Sequence, residues 1–158
     1  MAFRKLTIAL FTLVAAHVLT AQIVYAAGSS SPTEAAVPDS PEFIAGKAAI
    51  DQQQWAVAIA SFTKVTAADP KNADAYNYLG YANRKMKNYD EAFKNYNMAL
   101  DINPEHLGAN EYIGEAYLQT NNLDMAEKHL AKLDSICFFG CAEYTMLKRA
   151  VEEYKARS

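Results

Sequence analysis

The sequence predicts an all-α protein in which three antiparallel helix pairs stack into an α-α superhelix and a seventh helix closes the C-terminal end. Three observations predict it. Glycine, alanine and bulky positions recur every 34 residues through the middle of the chain, a spacing that fits a repeat built from one helix pair. Of the 158 residues, 51% are apolar and 21% charged, the composition of a packed globular chain. Six glycines and five prolines are too few to punctuate an all-β fold.

The chain opens on an address. Arg4 and Lys5 precede an apolar run over residues 6–19, the pattern of a secretory signal peptide. Val24 and Ala26 supply the small residues that precede a cleavage site, so residues 1–26 are expected to be removed, with cleavage after Ala27 the nearest alternative. An uncleaved anchor is the competing reading, opposed by the polar Thr7, His17, Thr20 and Gln22. Residues 27–41, with Ser29, Ser30, Ser31, Pro32, Pro38 and Pro41, read as a flexible tether. Past the signal, 13 basic residues face 18 acidic ones, a net charge of −5. That balance gives no reason to expect nucleic acid or an anionic membrane as partner.

The repeats occupy residues 42–138, with units at about 39–72, 73–106 and 107–138. Gly46, Gly80 and Gly114 share one column, Ala58, Ala92 and Ala126 a second, and Phe62, Tyr96 and Leu130 a third. The small residues let the two helices of a unit approach closely, and the bulky column is expected to fill the space beside that contact. Trp55, Tyr89 and Leu123 are expected just ahead of each second helix. Asp69-Pro70 and Asn103-Pro104 close the first two units, because proline cannot continue a helix and restricts the residue before it. The third unit has no such proline and runs into Cys137-Phe138-Phe139-Gly140-Cys141.

The last segment, residues 139–158, is expected to hold a capping helix. Tyr144, Leu147, Val151 and Tyr154 recur at three- and four-residue intervals, which gives one apolar stripe. Glu143, Lys148, Arg149, Glu152, Glu153 and Lys155 keep the other face polar, as the end of a stack requires.

These columns resemble the tetratricopeptide repeat family. Leu79-Gly80, Ala92, Tyr96, Ala99 and Pro104 match its motif almost completely. The first unit departs at Val65, and the third at Leu130, Leu133 and Phe138. The resemblance implies a right-handed solenoid whose first helices line a concave groove for a peptide or protein partner. It assigns to that groove Lys47, Asp51, Asn77, Tyr81, Arg84, Lys85, Glu111, Glu115 and Leu118, with Asp74 at the edge. The family's cluster of Lys, Asn and Arg that grips a terminal carboxylate is not reproduced. Tyr81 stands where Asn is common, and Glu111 and Glu115 would repel a carboxylate.

Cys137 and Cys141 are the only cysteines. In an exported chain a structural disulfide is the leading expectation, with Phe138 and Phe139 packed in the core at the repeat–cap junction. A redox-active pair usually has two intervening residues and a stabilised thiolate, and a metal site needs about four ligands. Neither pattern is present, and a pair of reduced, idle surface thiols is the remaining alternative. His106 and His129 read as polar surface residues. No phosphate loop, haem-attachment motif, serine elbow or zinc-protease helix occurs, so no catalytic residue, metal or cofactor is assigned. The expected function is a non-enzymatic interaction module or scaffold in a bacterial periplasm, or secreted, with no membrane contact after signal cleavage. A thiol-redox accessory protein and a self-assembling homo-oligomer are the alternatives.

Overall fold

The computed structural model describes residues 39–157, which form seven helices in chain order. They are α1 (Pro41–Asp51), α2 (Trp55–Ala68), α3 (Ala73–Lys85), α4 (Tyr89–Ile102), α5 (Leu107–Gln119), α6 (Leu123–Ile136) and α7 (Ala142–Arg157). The signal peptide, its cleavage site and residues 27–38 of the expected tether lie outside the described residues. The end of that tether is corrected: Ser40 accepts a hydrogen bond from the Phe43 N–H and Pro41 opens α1. A serine N-cap followed by proline in the first turn is a strong helix start, since the side chain satisfies an orphan donor and proline lacks one.

The first six helices pack mainly on chain neighbours, α3 also touches α5 across repeats, and α7 packs more on α5 than on its chain neighbour α6. Local contacts of this kind make a solenoid whose stability is roughly a sum of units and interfaces. Trp55, Tyr89 and Leu123 are the first residues of the second helices rather than lying ahead of them.

The turns inside the three units share a conformation that the residue types do not announce. Gln53, Lys87 and Asn121 all have positive φ, at 57°, 64° and 59°. The following N–H groups of Gln54, Asn88 and Asn122 reach back to the Ala49, Asn83 and Tyr117 carbonyls at 2.8–2.9 Å. This is a Schellman ending, which usually employs glycine at the left-handed position.

Close approach explains the glycine column. A Cβ on Gly80 would stand 2.5 Å from the Tyr96 ring, and one on Gly46 would stand 2.7 Å from Phe62. Both rings are fully buried. The third unit breaks this rule. Gly114 is faced by Leu147 of α7, 2.6 Å from a Cβ there, while Leu130 is only half-buried. The expectation that Leu130 fills the third gap is therefore corrected. Leu147 lies 34 residues after Ile113, so α7 sits where the first helix of a fourth unit would begin. With Val151 it joins Leu118, Ala126 and Leu133 in one buried cluster.

The link before α7 also departs from expectation. Cys137 and Cys141 lie with Cα atoms 5.6 Å apart and their sulfurs within bonding reach. Gly140, at φ +83°, supplies the bend. Phe138 and Phe139 are not core residues: they are 87% and 100% exposed and touch each other edge to face. Five residues spanning two cysteines leave no length for the intervening side chains to turn back onto the helices.

Candidate functional site

The first helices α1, α3 and α5, continued by α7, form one face of the stack. Positions on it repeat with the chain period. Asp51, Lys85, Gln119 and Glu153 stand at successive 34-residue steps near the C-terminal ends of the four helices, and all four are exposed. Two shallow cavities follow this line. The first, about 390 Å³, is bounded by Ile50, Asp51, Gln53, Trp55, Tyr81 and Lys85. The second, about 250 Å³, includes Lys85, Glu115, Gln119, Glu153 and Arg157. Lys85 borders both, so the two cavities adjoin and together mark out a furrow.

Aromatic rings line the furrow's wall. Tyr81 lies between Trp55 at 6.0 Å and Tyr112 at 4.9 Å between ring centroids. The Lys85 ammonium stands 5.1 Å from the Tyr81 ring. All three rings are half-buried, so they offer apolar faces while remaining reachable from solvent.

Arg84 behaves differently from its neighbour. It is 3% exposed, and its guanidinium bonds the Glu115 carboxylate at 2.7 Å and the Tyr96 hydroxyl at 3.3 Å. The same group lies 5.4 Å and 5.6 Å from the Tyr81 and Tyr112 rings. Burial works against its charge, but Tyr96 and Glu115 outweigh that cost and its pKa rises. Planar stacking with charge-assisted bonds suits arginine. Arg84 thus ties α3, α4 and α5 together, and its charge is already matched.

The other expected groove residues divide in the same way. Lys47 is exposed, 3.8 Å from the Asp39 carboxylate and over the Phe43 ring. Leu118 is 8% exposed and packs with the α7 cluster. Asn77 is 5% exposed, with its Oδ1 buried and unbonded. Glu111 is 2% exposed and has no hydrogen-bond or ion-pair partner among the described residues. Burial, reinforced by Glu115 and Glu143, pushes its carboxyl up to about 7 despite the opposing pull of Arg84. Burial, then Glu111, likewise raises Tyr112 to about 12.

Asp74 at the edge is exposed and binds His106 Nε2 at 3.0 Å, which lowers its pKa. His106 is no idle surface residue: its Nδ1 accepts from the Ala109 N–H and caps α5. The acceptor role of Nδ1 places the proton on Nε2, facing Asp74. His129 is half-buried, bonds Asn110 at 3.0 Å and stacks on Tyr117; burial lowers its pKa. Among the described residues, no three His, Cys, Asp or Glu side chains converge to hold a metal ion.

Tetratricopeptide repeat profiles match residues 45–106 and 83–151, and all three units show the helix pairs and close-packed glycines derived above. The chain belongs to the tetratricopeptide repeat family. The second match runs well into α7, consistent with that helix holding a repeat position. No curated protein sequence matches the chain. Among solved structures, an Arabidopsis OM64 tetratricopeptide repeat domain superposes with TM-score 0.67 at 17% identity, covering 74% of this chain and 93% of its own. PcrH in complex with the chaperone binding region of PopD gives 0.64 at 20%, covering 73% and 90%. The first such domain of Spaghetti (RPAP3), bound to the HSP90 peptide SRMEEVD, gives 0.62 at 21%, covering 70% and 89%. At these identities the likeness is one of fold.

Sequence reading missed Trp55, Gln119, Glu153 and Arg157 as furrow residues, and Tyr112 as the ring that backs Tyr81. For Gln119 and Glu153 the signal was present, because they continue the Asp51–Lys85 column. Tyr112 bears on the furrow only through its ring contact with Tyr81, which no spacing announces.

Proposed function

We propose that this tetratricopeptide repeat protein is a non-catalytic, exported interaction module that takes a peptide or protein segment along its concave furrow. The observation that carries the reading is the pair of adjoining cavities on either side of Lys85, with half-buried aromatic rings beside exposed charges of both signs. Such a surface offers apolar anchoring and polar orientation together. The fold relatives that hold the HSP90 peptide and the PopD segment support a peptide or protein as occupant. A terminal carboxylate is not the favoured ligand, since Arg84 is already neutralised by Glu115 and Glu111 adds negative charge.

Export is supported by the leading basic-apolar segment and by the Cys137–Cys141 pair, which we assign as a structural disulfide. Such bonds persist in oxidising compartments. Among the described residues no helix is long and apolar enough to cross a membrane. Mass spectrometry of the protein from its host tests export directly. A mature chain beginning at Ala27 supports it, and an intact Met1 in the soluble cytosolic fraction overturns it. For the furrow, Lys85→Glu tests the site without touching the Arg84 network. Partner capture falls while Tm holds; unchanged capture removes the furrow from the account.

A further inference from the structure

The face occupied by the furrow carries a second feature, nearer the N-terminal ends of α5 and α7. Three carboxylates, Glu111, Glu115 and Glu143, gather where α7 meets α5, and among the described residues the ion pair made to them is that of Arg84 with Glu115. Glu111 is 2% exposed and makes no hydrogen bond or ion pair among the described residues, its carboxylate oxygens keeping a little contact with solvent. A charge largely withdrawn from water and given no partner is costly, and that burial, with Glu115 and Glu143 close by, raises the Glu111 carboxyl pKa. Glu115 and Glu143 are half-exposed, so the group is reachable from solvent through them.

A second buried group nearby is also short of a partner. The Asn77 amide packs against α5 at Gly108, its Nδ2 3.1 Å from the position of a Cβ there. Gly108 lies one helical turn before Glu111. The Asn77 Oδ1 is an acceptor with no donor, on a side chain 5% exposed. The carboxylates do not converge as metal ligands do. The half-buried Tyr112 ring beside them adds a π face, which favours an organic cation.

We infer that this part of the concave face is a subsite for a cationic side chain, lysine or arginine, of the bound partner segment. Glu115 and Glu143 meet the cation at the rim, Tyr112 stacks on it, Glu111 supplies charge from beneath, and the Asn77 carbonyl accepts from the incoming donor. The inference rests on the furrow being the partner site.

The test uses the mature oxidised protein and amide chemical shifts. The probes are three pools of acetylated, amidated heptapeptides with arginine, citrulline or glutamate fixed at the centre, and spermidine as a free polyamine. Arginine peptides should move the Glu111, Tyr112 and Glu115 amides with at least tenfold higher affinity than citrulline peptides, and Glu111→Gln should remove that preference. Equal affinity for arginine and citrulline pools, or a preference that survives Glu111→Gln, overturns the subsite. So does spermidine matching the arginine pool, which makes the site one for small amines. Should peptides move the Trp55 and Tyr81 amides without any charge preference, the furrow stands and the subsite falls. Should no pool move any amide of this face, both fall.

Discussion

Glu111→Gln should make the protein more stable at pH 8 than it is now, and the gain should vanish in acid. The wild-type carboxyl is held at about 7 against an ordinary 4.5, because folding buries it beside Glu115 and Glu143, with Arg84 compensating only in part. A folded pKa above the unfolded one means that the folded state holds its proton longer. The stability tied to that proton is fully present below about pH 4.5 and is lost as pH rises through 7. At about 1.36 kcal/mol per pKa unit, the difference amounts to roughly 3 kcal/mol, an upper bound once water and relaxation are allowed for. Glutamine keeps the shape and removes the titration. Urea unfolding at pH 4.5, 6 and 8 reads the effect as separate curves of stability against pH. Wild-type stability should fall relative to E111Q across that range, with near-equal values at pH 4.5. Parallel profiles would refute the reasoning, since they would mean that Glu111 pays nothing for its burial.

Four further substitutions test the packing. Leu147→Ala empties the gap at Gly114 and should cost about 2–5 kcal/mol by denaturant titration, whereas Leu130→Ala, at a half-buried position, should cost clearly less. Lys87→Gly relieves a left-handed turn and should stabilise by about 0.5–1 kcal/mol; a loss of Tm would contradict the turn assignment. Cys141→Ser should lower stability by about 2 kcal/mol, the chain-entropy value for so short a loop, and the oxidised and reduced wild-type proteins should differ by a similar amount.

Much of the fold was legible because a stacked repeat writes the same steric demand at fixed intervals. Gly80 must face Tyr96 and Gly46 must face Phe62, so both columns survive in the sequence. The apolar stripe of α7 was equally plain, and Tyr144, Leu147, Val151 and Tyr154 all fall within the observed helix. The third unit was misread where the stack ends. There Gly114 is filled by Leu147 from the next helix, and a gap filled across a unit boundary leaves the intra-unit column free to drift to Leu130. Phe138 and Phe139 look like core by composition alone; only the short span between two paired cysteines turns them outward.

The candidate site was less legible, for an electrostatic reason. Arg84 and Lys85 are adjacent cations in sequence, yet one step of about 100° around the helix puts the first into the Glu115–Tyr96 network and the second into solvent. Periodicity identifies the face but not which charges on it are already matched. Lys87, Gln53 and Asn121 were hidden similarly, since their shared left-handed backbone has no glycine to mark it.

The central claim is that partners are received on the concave face. Site-specific photo-crosslinking in the native host tests it most directly, with the crosslinker placed in turn at Asp51, Lys85, Gln119 and Glu153, and as controls at Ala60, Lys94 and Lys128 on the second helices. The account predicts one defined adduct from several furrow positions, reduced by Lys85→Glu placed behind a crosslinker at Gln119, and none of that adduct from the controls. The same adduct from Ala60, Lys94 and Lys128, with none from the furrow, would contradict it.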